Sequence, residues 1–242
     1  STAAATGISS EAQTFDGANS SVKVNSSSTV DDLFVGGGTI SAWINPTGWG
    51  ENGYGRIADK ASSTFATGLL GNGWALQLTS SGGLIFEQGY TVTTGEWQTA
   101  AGVIQLNQWQ QVTLTFDSSN GIVAPKIYIN GVAVAVTANT LPVGVLLSDS
   151  GQQLTVGNFA NSPNRTFDGR IDEFRATDRV LTAAQILADY RSVAGSLTTI
   201  GVAETGPGGV LTNDRDPEQQ PITASLVTGP AHAASFTLNA DG

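Results

Sequence analysis

The 242-residue chain contains no cysteine, no methionine and a single histidine, and only 12% of its residues are charged. Without cysteine it has no disulfides, thiol nucleophiles, zinc–thiolate sites or iron–sulfur clusters. With His232 as its one histidine, a His-dependent triad or a multi-histidine metal site is improbable. Basic residues are also scarce: 10 Lys plus Arg stand against 20 Asp plus Glu, a formal charge of −10. That balance argues against neutralising phosphates on nucleic acid and against charge-driven binding to an anionic membrane, and it suits divalent cations. No run approaches the roughly 18 apolar residues of a membrane-spanning helix. The longest candidate, Val132–Leu147, is broken by Thr137, Asn139, Thr140, Pro142 and Gly144, so membrane insertion is not expected. Ser1 is not expected to be a translational start, and a targeting segment removed before it fits an exported protein.

What is present is small and polar. A typical soluble domain carries about 25% charged residues; here polarity comes instead from Ser, Thr, Asn and Gln, with 30 glycines. At about 150 residues per domain, the length allows one large all-β domain, or one domain and part of another.

Short alternating runs bounded by Gly, Ser and Asn recur through the first 180 or so residues. Ile40, Ala42 and Ile44 share one strand face; Trp74, Leu76 and Leu78 share another. Val112, Leu114 and Phe116 form a third, with Thr113 and Thr115 opposite. Lys126–Val136 reads as a hairpin around Asn130-Gly131, a pair that tolerates positive φ. Many such strands predict an all-β, two-sheet antiparallel sandwich of the jelly-roll type. One short helix is expected over Thr182–Tyr190, opened by a Thr182/Gln185 capping box and striped by Ile186 and Tyr190. Residues 1–10 read as an N-terminal extension and 192–201 as a linker. The remainder, 202–242, reads as a partial β-sandwich module too short to hold a core unaided.

Several motifs resemble a known family. Phe15-Asp16-Gly17, Thr39-Ile40-Ser41-Ala42-Trp43-Ile44, Trp109 through Asp117, Lys126 through Gly131, Phe167 through Arg175, and Asp178 through Ile186 follow the order of the LamG-like jelly-roll family, the concanavalin A-like lectin and glucanase fold. The resemblance spans residues 11–191. A second resemblance, to bacterial cadherin-like or VCBS-type repeats, rests on Gly209-Val210-Leu211-Thr212-Asn213-Asp214-Arg215-Asp216-Pro217, on Leu226 through His232 and on Leu238 through Gly242. It implies the first part of a repeat over 202–242.

These resemblances imply candidate sites. In the first family an acid at the place of Asp172 helps hold a structural Ca²⁺ with oxygens near Asp16 and Gly17, and calcium takes six to eight hard oxygens. Strand alternation would put Asp172 on the face of Phe174, where a carboxylate must be paired or bound; pairing with Arg170 or Arg175, or capping a turn, are the alternatives. In the repeat-like segment, Glu204, Asp214 and Asp216 are the implied calcium ligands, with ordinary turn acids as the alternative. The long loop Asn45–Arg56 carries Trp49, Glu51, Asn52 and Tyr54, an aromatic and amide set suited to stacking on and hydrogen-bonding a sugar. A second polar loop, with Asn158 and Arg165, is expected nearby; Trp49 could instead cap the sandwich end. Trp43, Trp74, Trp97 and Trp109 read as packing residues.

Catalysis is disfavoured. The Glu-x-Asp-x-x-Glu strand of the superfamily's enzymes has no counterpart, because Asp172-Glu173 are adjacent and point to opposite faces. Sequons at Asn19, Asn25 and Asn164 carry little weight in a bacterial surface protein. The sequence thus predicts a non-enzymatic module, extracellular or on the cell surface, that binds a carbohydrate or cell-surface partner with structural Ca²⁺ and no nucleic acid. The alternative is a homopolymer subunit of a fibre or surface layer, completed by strands from neighbouring chains.

Overall fold

The computed structural model describes residues 3–8, 11–62, 71–119, 123–159 and 164–197. The chain divides into two compact units, Ser1–Gly195 and Ser196–Gly242. In chain order the strands are β1 (Ala3–Thr6), β2 (Glu11–Asp16), β3 (Val22–Val24), β4 (Gly38–Pro46), β5 (Arg56–Ala61), β6 (Gly73–Leu78) and β7 (Leu84–Gln88). They continue as β8 (Gly95–Thr99), β9 (Gln110–Phe116), β10 (Lys126–Ile129), β11 (Val132–Val134), β12 (Val136–Thr140), β13 (Leu154–Val156) and β14 (Asp168–Thr177), followed by helix α1 (Ala183–Leu197). These make two seven-stranded sheets: sheet A in the order β1-β2-β14-β4-β9-β10-β11 and sheet B in the order β12-β8-β7-β6-β5-β13-β3. Every pairing among them is antiparallel, as the alternating sequence pattern requires.

The core lies between the sheets. Ile40, Ala42 and Ile44 from β4 and Val112, Leu114 and Phe116 from β9 face Trp74, Leu76 and Leu78 from β6. Phe34, Trp74, Phe86, Trp97 and Phe116 form an aromatic centre with ring centroids 5.3–6.0 Å apart. Full burial of each large apolar side chain contributes about 1.5–3 kcal/mol. Beyond the expected Asn130-Gly131 turn, with φ of 52° and 77°, the chain leaves β11 at Ala135 and passes into the other sheet as β12. Val136 therefore does not continue the hairpin.

Three expectations about boundaries and faces are corrected. The described part of the expected extension, residues 3–8, belongs to the sandwich instead, because β1 pairs with β2 as the edge of sheet A and Ile8 is buried beside Trp43. The helix does not stop at Tyr190 but runs on through Ser192 to Leu197. Tyr190 stacks on Trp43 at 5.5 Å, and Val193, one turn later, packs into the same cluster, so the apolar stripe continues beyond the predicted end. The predicted capping box is formed: Thr182 Oγ1 accepts from the Gln185 N–H at 3.3 Å, and Gln185 Oε1 accepts from the Thr182 N–H at 2.9 Å.

The third correction concerns Asp172. Asp172 pairs with Trp43 and Arg175 with Ser41, so Glu173 and Phe174 together oppose Ala42; this is a β-bulge, with Glu173 at φ 48°. The extra residue inverts the side-chain alternation. Phe174 packs on the core, while Asp172 lies on the outer face with Trp43.

Candidate functional site

The two polar loops singled out in the sequence meet at one end of the sandwich. The Glu51 N–H donates to Thr166 O at 2.9 Å, the Arg56 N–H to Arg165 O at 2.8 Å, and Asn52 Nδ2 to Asn164 O at 3.3 Å. The turn that allows this is pinched: Gly50 has φ 77°, and a Cβ there would come 2.3 Å from Gly55 Cα. Tyr54 projects from this junction 42% exposed, and the Arg165 guanidinium lies 5.9 Å above its ring centroid. Arg165 Nη1 donates to Asn164 O at 2.9 Å.

The sequence-predicted contact residues separate into two kinds. Tyr54 and Asn52 present exposed side chains, and Arg165, half-buried, lies against the Tyr54 ring. Glu51 is half-buried, its Oε2 accepting from Thr166 N and Oγ1 at 3.4 and 3.5 Å. Trp49 is half-buried and packs on the core, with its ring tip over Gly82, so it anchors the loop to the sandwich end. Asn158 is 1% exposed, which removes it from contact with any ligand. Its Nδ2 donates to Ser20 O and Thr166 Oγ1 at 3.3 and 2.8 Å, and its Oδ1 accepts from the Phe159 and Arg165 N–H groups at 2.8 and 3.4 Å. It holds the loop that carries Arg165.

Sequence reasoning passed over β5. Its outer end joins this loop junction, and its charges are buried. Arg56 Nε lies 3.2 Å from Asp59 Oδ2, and Arg56 Nη1 lies 3.1 Å from Glu87 Oε2 and donates to Gln77 Oε1. One guanidinium thus faces two carboxyls. Burial pushes Asp59 from 3.8 up to about 7 and also raises Glu87, opposed by Arg56 and, more distantly, by Arg165. In register, Asp59, Ala75, Glu87 and Glu96 form one transverse row across sheet B, and Arg56, Gln77, Ile85 and Gln98 form another, separated from it by the row Ala58, Leu76, Phe86 and Trp97. Toward β12 this face opens: Asn139 Nδ2 donates to Glu96 Oε1 and Gln98 Oε1 at 2.8 and 2.9 Å. The available signal was density, since a six-residue strand with three charges is unusual in a chain that is 12% charged.

The opposite end of β5 is closed. Lys60 Nζ contacts Asp31 Oδ1 at 2.7 Å and donates to Asp149 Oδ1 and Asp149 O at 2.9 and 2.7 Å, using all three ammonium protons. Asp32 and Asp149 exchange backbone-to-carboxylate bonds of 2.8 and 3.0 Å, and Ser26 donates to Asp31 Oδ2 at 2.7 Å.

The expected calcium ligands Asp16, Gly17 and Asp172 do not converge. Asp16 pairs with Asp168, so Asp172 lies four positions further along the ladder, about 13 Å away. Asp16 Oδ1 accepts from the Ser20 hydroxyl at 2.6 Å and from the N–H groups of Ala18, Asn19 and Ser20 at 2.9–3.0 Å. These bonds, the Ser20 hydroxyl foremost, hold its carboxyl well below the usual range. Asp172 Oδ2 accepts from the Ile8 N–H at 2.9 Å and Oδ1 from the Glu173 N–H at 2.8 Å, tying the β1–β2 connection to the bulge. Among the described residues no group of three or more His, Asp or Glu side chains is placed to hold a metal ion. Glu204, Asp214 and Asp216, with the repeat-like segment they belong to, lie outside the described residues.

Two facing antiparallel sheets with loop-borne polar residues at one end define a jelly-roll sandwich of the lectin type. The sequence profile of the concanavalin A-like lectin/glucanases superfamily matches residues 16–187, and the chain belongs to that family. No curated protein matches the chain. Among solved structures, the binding domain of Paraclostridial Mosquitocidal Protein 1 is similar at TM-score 0.60 and 16% identity over 79% of this chain and 45% of that one. The CBM40 of the Ruminococcus gnavus IT-sialidase, bound to alpha2,3 sialyllactose, is similar at TM-score 0.52 and 17% identity over 70% of this chain and 96% of that one. The receptor binding domain of botulinum neurotoxin D gives TM-score 0.55 and 15% identity over 78% and 46%. The chain thus spans less than half of the mosquitocidal and neurotoxin structures, and at these identities the likeness is one of fold. No helix among the described residues is long and apolar enough to cross a membrane.

Proposed function

We propose that this chain is a non-catalytic, extracellular binding module that takes a glycan on a cell surface at the junction of loop 45–56 with residues 164–166. The observation that carries the reading is the convergence of the two loops, which leaves the Tyr54 ring exposed beside the Arg165 guanidinium. An exposed aromatic gives a sugar ring an apolar face to lie on, and the guanidinium and the Asn52 amide supply directional donors for hydroxyl or carboxylate groups. The family membership and the binding-domain folds of the similar structures support a binding role over a catalytic one. Adhesion is the use such a module serves on an exported surface protein.

A glycan array with sialylated and neutral arms, probed with the full chain, tests the reading. Binding to a defined glycan set that is lost in Tyr54→Ala and weakened in Arg165→Ala is the expected result. Absence of binding on every arm, or binding unaffected by both substitutions, would overturn it.

A further inference from the structure

We infer that the sandwich side formed by β11 and β12 is an interface between two copies of this chain. β11 is the last strand of sheet A and β12 the last of sheet B, and they follow one another along the same side of the sandwich. An edge strand offers unpaired N–H and C=O groups, which proteins blunt with Lys, Glu, Pro or bulges. Here no charged residue occurs from Ile127 to Ser148. The protection is confined to the irregularity between Ala138 and Thr140 and to Pro142.

Among the described residues, the same side carries the densest exposed aliphatic surface. Val132, Leu141, Val143, Val145 and Val92 are each more than half exposed, Val145 at 71%. Residues 141–147 are held against 89–93 by backbone bonds, Thr91 N–H to Val145 O at 2.9 Å and Val92 N–H to Val143 O at 3.1 Å, so these side chains sit on a fixed ribbon. By contrast β3, at the opposite edge of sheet B, carries Lys23.

Charge decides the occupant. A two-fold interface brings the same patch against itself, so any charge in it meets its own sign. In a chain of net charge −10 with twice as many acids as bases, a long charge-free edge is the surface that can meet a second copy without that cost. An antiparallel β12–β12 pairing is self-complementary in hydrogen bonding. This inference does not depend on the glycan reading, because the interface lies apart from Tyr54 and Arg165.

Sedimentation equilibrium of the full chain tests it. A reversible dimer is expected, tightening as salt is added, because screening weakens repulsion between two acidic copies. Thr137→Lys, and separately Leu141→Lys with Val145→Lys, should weaken dimerisation roughly tenfold or more while melting is unchanged; all three sites are exposed. Val24→Lys on β3 should leave the dimer intact. A monomer at the highest attainable concentration in high salt would overturn the inference. So would a dimer that survives both β12-side variants, or a monomer that floats with phosphatidylcholine vesicles through Leu141 and Val145.

Discussion

The two ends of β5 hold the same kinds of group in opposite states. At the Lys60 end one ammonium is fully buried and spends every proton on Asp31 and Asp149, with Ser26 and Asp32 completing the network. At the Arg56 end one guanidinium serves two carboxyls, and the adjoining loops leave Tyr54 and Asn52 exposed beside the half-buried Arg165. A polar network whose charges are all paired within the chain serves to hold loops in place. One that ends in exposed aromatic and cationic groups keeps donors for something outside the chain.

Substitutions can break or sharpen this contrast. The largest effect belongs to the Lys60 end: Lys60→Met strands the buried Asp149 carboxylate and the half-buried Asp31 and should cost about 3 kcal/mol. For a domain of this size that lowers Tm by on the order of 10 °C, measurable by calorimetry. A loss of less than about 1 kcal/mol, the range of an exposed pair, would show that the clamp is not what fixes those loops.

The Arg56 end should respond to pH. Asp59 has its folded pKa raised from 3.8 to about 7, so between these values the folded state keeps a proton that the unfolded state has lost. Stability therefore falls as pH rises through that window, by on the order of a few kcal/mol, and Asp59→Asn should flatten the slope in denaturant titrations run from pH 4 to 8. A slope unchanged in that variant would assign the titration to Glu87 instead.

At the surface the effects turn from stability to binding. Tyr54→Ala should shift stability by less than about 0.5 kcal/mol while weakening glycan affinity roughly tenfold or more. If it destabilises the fold as much as Lys60→Met does, the two ends are alike and the comparison fails. The smallest effect is at the Asp16 turn. A carboxyl held below its ordinary range contributes stability above pH 3.8 that is lost as pH falls below it, so Asp16→Asn should alter only the acid limb of the melting profile.

Much of the fold could be read from residue order. Ile40, Ala42, Ile44, Val112, Leu114 and Phe116 declared their faces by alternation, and Asn130-Gly131 declared its turn, because those signals are local. The meeting of the 45–56 loop with Asn164, Arg165 and Thr166 was legible only as an expectation. Asn158 looked like a contact residue because an amide in a polar loop gives no local sign of being buried. The face of Asp172 was misread for a related reason: one extra residue in the bulge reverses every later side chain, and nothing in Arg170-Ile171-Asp172-Glu173-Phe174 marks where it falls. Arg56, Asp59, Lys60 and Glu87 were missed because burial of charge depends on strands far apart in sequence.

What the sequence alone determined is the class of molecule. Alternation forces strands, the absence of cysteine and the single histidine remove whole chemistries, and the motif order places the chain among lectin-like jelly rolls. What only the tertiary structure decided is which polar groups are spent and which are left over. A carboxylate or amide has the same chemistry wherever it stands in the chain. Its role is set by how many partners the packed sheets bring within 3 Å or so and by whether water can reach it.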